Sequence, residues 1–161
     1  MRVWRLTQAR HAETAFTGIG TKEFGSRWVP QGYAAVYTSE HISTSILETL
    51  VHMEVSHFGQ HYVVIGVDVP DDLPMDVVQA DSLPGDWAAR FEDPQLHQVG
   101  TDWLERGESA ALIVPSAVVP LERNVILNPE HPDFALVTIQ RPEPFALDGR
   151  LATAIATRSS S

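Results

Sequence analysis

Proline residues break the second half of this chain into short segments, and no other feature limits its fold as much. Proline cannot donate to a strand ladder and cannot continue a helix, so each one ends or bounds a neighbouring element. The runs between them are apolar and of ordinary strand length. The pattern predicts many short strands with tight corners, bounded by Pro115, Pro120, Pro129, Pro132, Pro142 and Pro144.

Six segments are predicted to form strands from their apolar and aromatic content. The clearest is YVVIGVDV at residues 62–69, which has the composition of a buried strand and ends before Pro70. The long segments 8–26 and 70–93 carry glycine, aspartate and proline, so the first is predicted to be irregular loop and the second loop with one short helical turn. The other strands are predicted at residues 3–6, 34–38, 110–114, 124–127 and 136–140.

Two helices are predicted. The first spans about residues 40–55, with Ser39 as N-cap because its hydroxyl can accept from free amides of the first turn. Glu48 falls on its polar side, opposite a broad apolar side. The second runs from Pro94 to about Arg106, with Asp93 as its N-cap. The apolar side of the first helix consists of Ile42, Ile46, Leu47, Leu50, Val51 and Met53.

Together these elements predict a single α+β domain, with a mixed sheet core of mostly short strands and two main helices. A length of 161 residues suits one domain, and 43% hydrophobic residues can bury a core without disulfide or metal support. Residues 2–144 are expected to form the core and residues 157–161 a frayed tail.

The formal net charge of −10 argues against direct binding of nucleic acid, whose phosphates attract basic surfaces. A nucleotide ligand is still compatible, because one or two arginines can hold a diphosphate in a locally positive cleft. The chain has no cysteine, which excludes thiolate metal sites and cysteine nucleophiles. With neither a signal-like segment nor an apolar run long enough to span a bilayer, we expect a soluble, cytoplasmic protein without membrane contact.

Three patterns could belong to a site, but each has a commoner explanation. GIGTKEFG, at residues 18–25, lacks the G-x-G-x-x-G spacing, so a flexible loop is favoured over a lid. The spacing of His52, His57 and His61 does not form H-E-x-x-H, so no metal site is expected. Ser116 lies in VPSAVVP rather than G-x-S-x-G, and a turn serine is commoner there than a functional one.

A fourth set consists of Arg5, Arg27, Tyr37 and Glu48. Taken one at a time, an arginine beside an aromatic residue, a strand tyrosine and a solvated helix carboxylate are all ordinary surface features. Each of these residues, however, lies within a string that belongs to a longer ordered pattern.

That pattern consists of WRL at 4–6, SRWVPQG at 26–32, AVYTS at 35–39, SILE at 45–48, VPS at 114–116 and NVILNPEHP at 124–132. In this order the strings resemble the RES family, named after a recurrent arginine, glutamate and serine. The likeness covers roughly residues 2–144. One departure is visible, because the family often has G-G-R-W-N-P where Ser26 and Val29 replace the second glycine and the asparagine.

The resemblance implies an ADP-ribosyltransferase-like fold and the toxin of a toxin–antitoxin pair, whose antitoxin partner carries a Xre-like helix-turn-helix domain. It implies NAD as substrate, degraded by hydrolysis or by phosphorolysis with inorganic phosphate as co-substrate, and no separate cofactor. Arg27, Tyr37, Glu48 and Ser116 match the family's arginine, strand tyrosine, glutamate and serine. Arg5 matches an N-terminal arginine implicated in binding.

These residue types suit cleavage of the nicotinamide–ribose bond. A carboxylate at Glu48 can stabilise the positive charge that develops on the ribose. Arg27 and Arg5 can grip the diphosphate through forked hydrogen bonds. Tyr37 offers an aromatic face for nicotinamide, and Ser116 is expected to hydrogen-bond the substrate and orient it.

Two other readings remain open at this point. The same site could transfer ADP-ribose to a protein rather than to water or phosphate. Alternatively, the chain could be a non-catalytic module that binds a partner through its tryptophans, namely Trp4, Trp28, Trp87 and Trp103. A homo-oligomer or a larger toxin–antitoxin assembly is compatible with any of these.

Overall fold

The computed structural model describes residues 1–53, 57 and 61–158. Its eight strands are β1 (Arg2–Gln8), β2 (Val36–Ser39), β3 (Tyr62–Asp68), β4 (Met75–Val77), β5 (Ala111–Pro115), β6 (Arg123–Leu127), β7 (Thr138–Ile139) and β8 (Glu143–Phe145). They form one sheet in the order β4–β5–β6–β2–β1–β3–β7, with β8 also paired to β3. All pairs are antiparallel except β4 with β5.

The α-helices are α1 (Ile19–Phe24), α2 (Ile42–Val51), α3 (Pro94–Arg106) and α4 (Gly149–Arg158). Helix α3 begins as predicted, since the Asp93 carboxylate accepts from the backbone N–H of Gln95 at 2.7 Å and Pro94 occupies the first turn. Within the described residues, no helix has both the length and the hydropathy required to cross a membrane.

The mixed α+β architecture is confirmed, and the predicted strands are present with ends moved by no more than two residues. Residues 8–26 are not irregular as predicted, because they contain a 3-10 turn, Ala9–Thr14, and α1. The sequence also did not predict β4, β8 or α4. These elements are short or lie near the chain end, so neighbouring segments stabilise them more than a local pattern does.

The ends of two predicted elements differ from expectation. The predicted frayed tail begins inside α4, which continues to Arg158, and residues 159–161 lie outside the described residues. The first predicted helix corresponds to α2, and its expected end at Val55 also lies outside them. Ser39 is not its cap, because the N-cap position is His41 and Ser39 belongs to β2.

Helix α2 buries only part of the apolar side predicted for it, since Leu50 and Met53 lie in the core while other members are exposed and polar residues are buried beside them. Leu47 and Val51 are 40% and 50% exposed, whereas Ser45 is only 6% exposed. The reason is tertiary, because the Ser45 hydroxyl accepts from the backbone N–H of Leu6 at 3.0 Å. The polar side that carries Glu48 is thereby turned toward the sheet.

The sheet parts between β1 and β2. Along its whole length β1 pairs with β3, but a single registered pair, Trp4 with Ser39, joins it to β2 in the described residues. Beyond that pair, side chains satisfy backbone groups that a ladder would otherwise use. Leu6 N–H donates to Ser45, and the Tyr37 carbonyl accepts from Arg5 Nη1 at 2.8 Å.

Apolar clusters cover both faces of the sheet. On one face, Trp28 packs with Leu96 and Trp103 of α3, against strand residues such as Ile126. The alternating strand residues, such as Val125, face a separate cluster on the other side. Three of the four tryptophans are buried in this way, which accounts for their presence by packing.

Gly100 allows α3 to approach the segment that carries Arg27. A Cβ built on Gly100 would lie 1.9 Å from the carbonyl oxygen of Trp28 and 3.2 Å from the Val29 side chain. No other side chain fits without moving the backbone at Trp28, which immediately follows Arg27.

We expect Gly100→Ala to destabilise the fold by about 1–3 kcal/mol through overpacking, although alanine is intrinsically the better helix former. Urea unfolding measures this directly. Gly20→Ala is the matched control, since Gly20 is also helical but has no atom within 4 Å of an added Cβ. The control should be neutral or slightly stabilised, and equal stability of both variants would contradict the close approach.

Candidate active site

A cleft of about 780 Å³ opens where β1 and β2 part. Its walls are residues 5–8 of β1, residues 37–39 of β2, the inner side of α2 and the segment 24–28. Phe91 and the residues on either side of Ser116 complete the lining. The volume lies within the range of about 300–1,000 Å³ that is usual for small-molecule sites.

The charged lining of this cleft is opposite in sign to the protein as a whole. The chain carries a net charge of −10, yet among the described residues three arginines line the cleft against one carboxylate, that of Glu48. Such a locally positive, partly enclosed surface favours an anionic ligand. The arginines are Arg5, Arg10 and Arg27.

Glu48 is held by two side-chain donors that share one of its oxygens. Ser116 Oγ donates to Glu48 Oε1 at 2.7 Å, and Asn124 Nδ2 donates to the same atom at 2.6 Å. No described residue hydrogen-bonds the other oxygen, Oε2. The carboxylate is therefore fixed through one oxygen while the other is left for a ligand.

Arg27 lies across the cleft on the segment that follows α1. Its guanidinium donates to the carbonyl oxygens of Trp87, at 3.2 Å, and Arg90, and it lies 5.4 Å from the ring centre of Phe91. Among the described residues no carboxylate forms an ion pair with it. Burial lowers the pKa of Arg27, and the charge of Glu48 opposes that change, which places both groups in one electrostatic environment.

Arg5 is more enclosed than Arg27. Besides its bond to the Tyr37 carbonyl, its Nε is buried and has no hydrogen-bond partner in the described structure. Burial lowers the pKa of Arg5 to about 10, so the group is still charged at neutral pH. Arg5 thus has a structural role at the parting of the sheet and also lines the cleft.

Tyr37 joins the Arg27 segment to the sheet. Its hydroxyl shares a hydrogen bond with Ser26 Oγ and accepts from the backbone N–H of Trp28 at 3.3 Å. Burial raises the pKa of Tyr37, so the phenol is neutral. Ser26 Oγ also bonds both backbone groups of Val29, which closes the turn around Arg27.

Comparison with known proteins gives the family of the chain. The family model described as "RES domain" matches residues 2–148. The chain belongs to the RES domain family. It is 37% identical over 156 residues to "Toxin Res" of Photorhabdus laumondii, covering 96% of this chain and 99% of that one. It is 31% identical over 152 residues to the "Prs ADP-ribosylating toxin" of a Sphingobium species, covering 92% and 94%. These relatives group the chain with the RES toxins.

A solved structure shares the fold of this RES domain. A chain of the crystal structure of the M. tuberculosis MbcT-MbcA toxin-antitoxin complex matches with a TM-score of 0.75, over 97% of this chain and 88% of that one. At 16% identity the likeness concerns the fold alone. It is consistent with the ADP-ribosyltransferase-like architecture that the resemblance implied.

The RES domain brings four of the predicted site residues to one cleft, namely Arg5, Arg27, Tyr37 and Glu48. Ser116 differs from expectation. It is fully buried behind Glu48, its hydroxyl proton is donated to that carboxylate, and its oxygen accepts from the backbone N–H groups of Val118 and Val119. The geometry therefore supports contact of Ser116 with Glu48 rather than with a substrate.

Sequence reasoning missed Asn124 and Ser39 as members of the site. Both occur in strings of the family pattern, but Asn124 was otherwise noted only as part of a strand and Ser39 only as a helix cap, yet both line the cleft. An asparagine in the apolar run RNVIL was the available signal, because a polar side chain on a buried strand needs a specific partner. Within the described residues, no group of three or more His, Asp or Glu side chains could hold a metal.

We expect a double-mutant cycle of Ser26→Ala and Tyr37→Phe to show a coupling free energy of about 1 kcal/mol, because each single change leaves the other hydroxyl without its partner. The measurement is the urea free energy of unfolding. Tyr33→Phe in place of Tyr37→Phe is the control, since the Tyr33 hydroxyl bonds Glu105 elsewhere. If the changes in unfolding free energy of Ser26→Ala and Tyr37→Phe simply add, the hydrogen bond between these two hydroxyls does not stabilise the turn around Arg27.

Proposed function

We propose that this RES domain is the toxin of a toxin–antitoxin pair and that it degrades NAD by cleaving the nicotinamide–ribose bond. One observation carries the proposal: a single cleft combines the fixed carboxylate of Glu48 with two arginines, Arg5 and Arg27, that have no carboxylate partner in the described structure. NAD presents a cationic pyridinium–sugar bond and an anionic diphosphate, which match these two kinds of group.

The bond between the nicotinamide nitrogen and C1′ of the ribose breaks with its electron pair moving to the nitrogen. Nicotinamide leaves as a neutral base, and the ribose carries positive charge as an oxocarbenium-like species. Glu48, held by two donors on Oε1, can place Oε2 beside that sugar and lower the energy of the developing charge. The sugar is then captured by an acceptor that adds to C1′.

Arg27 suits the diphosphate for a geometric reason. Its Nη1 is anchored by two backbone carbonyls, so the guanidinium is oriented before a ligand arrives and its other N–H groups can donate as a fork. Arg5 lines the same cleft and can add a second positive charge for the diphosphate. Tyr37, with its hydroxyl engaged in the turn, keeps the proposed role of an aromatic face for nicotinamide.

The acceptor distinguishes two forms of the reaction. In hydrolysis a water molecule adds to C1′ and loses a proton, and the product is ADP-ribose. In phosphorolysis an oxygen of inorganic phosphate forms the new bond, and the product is ADP-ribose 1″-phosphate. Purified protein incubated with NAD, with and without inorganic phosphate, distinguishes them by product mass. If NAD is consumed under neither condition, the proposal is overturned and a non-catalytic binding module is favoured.

A second candidate is transfer of ADP-ribose to a protein by the same site. The relative named "Prs ADP-ribosylating toxin" supports it at 31% identity over most of both chains. Here the side chain of a target protein replaces water as the group that adds to C1′. Labelled NAD in a cell lysate tests this, since a discrete labelled protein band would favour transfer over simple hydrolysis.

The proposed partner is an antitoxin with a Xre-like helix-turn-helix domain. The fold shared with a chain of a toxin–antitoxin complex supports this role. Expression of the chain alone should stop growth, and expression of the adjacent open reading frame should relieve the arrest. A chain that can be expressed freely while consuming NAD in vitro would contradict the toxin role without affecting the chemistry.

We expect Glu48→Gln to slow NAD loss by about 100-fold or more, because charge stabilisation of the sugar is lost while the shape is kept. The glutamine oxygen can still accept from Ser116 and Asn124. Initial rates of nicotinamide release are the measurement. Glu105→Gln is the control, since Glu105 bonds Tyr33 on the outer surface. Parental turnover in the Glu48 variant would remove this carboxylate from the mechanism.

We expect Arg27→Lys to raise KM for NAD about tenfold, with a smaller change in kcat, because a point charge replaces a forked donor. Steady-state kinetics with NAD and with nicotinamide mononucleotide, which lacks the diphosphate, measure the effect. The mononucleotide should be affected less. Arg123→Lys is the control, because Arg123 pairs with Glu40 outside the cleft. An unchanged KM for NAD would refute the diphosphate contact.

A further inference from the structure

Asn124 is a polar residue of the cleft to which the proposed chemistry gives no role. It lies on β6, directly opposite Ser39 of β2 in the strand register. Its side chain is almost completely buried, and both of its polar atoms are occupied. A buried amide with two specific partners, one of them the reacting carboxylate, requires an explanation beyond packing.

The orientation of the Asn124 amide follows from its two partners. Ser39 Oγ donates to Asn124 Oδ1 at 2.7 Å, and Nδ2 then donates to Glu48 Oε1 at 2.6 Å. A carboxylate can only accept, so the amide nitrogen must face Glu48 and the amide oxygen must face Ser39. The carboxylate thus decides which end of Asn124 it meets, and the Ser39 hydroxyl, which could donate or accept, holds the Oδ1 end in place.

The second donor to Glu48 Oε1 is fixed independently. Ser116 Oγ accepts from the backbone N–H groups of Val118 and Val119 at 3.2 and 3.0 Å, which leaves its proton for Glu48. The two donors come from β6 and from the end of β5, whereas Glu48 lies on α2. Two bonds to one oxygen from different elements stop the carboxylate from rotating and leave Oε2 as the only oxygen available to a ligand from this side.

We propose that Asn124, held in place by Ser39, is a positioning residue for Glu48 and that it acts by holding Oε1 so that Oε2 is the oxygen facing C1′ of the ribose. This inference rests on the proposed function, because it assigns a role within that reaction. Asn124 itself does not contact the reacting atoms. Its effect is on how often Glu48 is correctly placed when the bond breaks, so it should change kcat rather than KM.

The test compares Asn124→Ala and Asn124→Asp with the parent protein in NAD turnover across pH. Asn124→Ala should lower kcat by about 10- to 100-fold at every pH with little change in KM, because a small misplacement of a reacting group costs that much. In Asn124→Asp, a protonated aspartate can donate to Glu48 in place of the amide, whereas an ionised one repels it. Its kcat relative to the parent should therefore be highest at acidic pH and fall as pH rises.

Dividing the kcat of the variant by that of the parent at each pH removes effects common to both proteins. Such effects include protonation of other groups of the cleft, His11, His52 and His57 among them. Asn128→Asp is the matched control, since Asn128 is a buried asparagine just beyond β6 whose Oδ1 accepts from the backbone of Glu130. Ser39→Ala should give a smaller loss of kcat, because Asn124 still donates to Glu48 but its Oδ1 end is no longer held. This variant still tests the proposal if Asn124→Ala folds poorly.

The outcomes separate this inference from the proposed function. An active parent together with parental kcat in Asn124→Ala would overturn the positioning role and leave NAD cleavage intact. A ratio for Asn124→Asp that does not vary with pH would also overturn it, because a purely structural role predicts a uniform loss. A parent that consumes no NAD would instead overturn the function itself.

Discussion

The parting of β1 from β2 is the feature on which the rest of this structure depends. A sheet that opens in its middle leaves backbone N–H and C=O groups without ladder partners, and each one left buried and unpaired would cost about 1–3 kcal/mol. Here Ser45 accepts from Leu6, and Arg5 donates to the carbonyl of Tyr37. The opening is thus stabilised by polar side chains, and the same side chains give the cleft its polar walls.

The electrostatics of the cleft depend on which arginines have no ion-pair partner. Arginines elsewhere in the chain, such as Arg2 and Arg123, form ion pairs with carboxylates, whereas Arg5 and Arg27 bond only backbone carbonyls in the described structure. Burial lowers the pKa of both, and the charge of Glu48 opposes this only in part at Arg27. An anion entering the cleft would supply the missing charge, and it would not have to displace a carboxylate first.

The position of Arg27 is fixed by a series of packing contacts and hydrogen bonds that reaches α3. Gly100 lets the helix meet the backbone of Trp28, and the hydroxyls of Ser26 and Tyr37 close the turn. Ser26 and Val29 are the two positions that depart from the family pattern. Val29 is fully buried and Ser26 makes the local hydrogen bonds, so in this chain the two residues replace the usual turn without moving Arg27 out of the cleft.

The sequence by itself determined the elements whose signals are local. Strand composition located the sheet, and Asp93-Pro94 located the start of α3, because capping and hydrogen-bond loss act within a few residues. Motif order identified Arg5, Arg27, Tyr37 and Glu48. Only the tertiary structure decided which side of α2 is buried, that Ser116 contacts Glu48 from behind, and that Asn124 belongs to the site. Those outcomes depend on which strands part and which pair, and contacts between residues as far apart as Glu48 and Asn124 leave no trace in local periodicity.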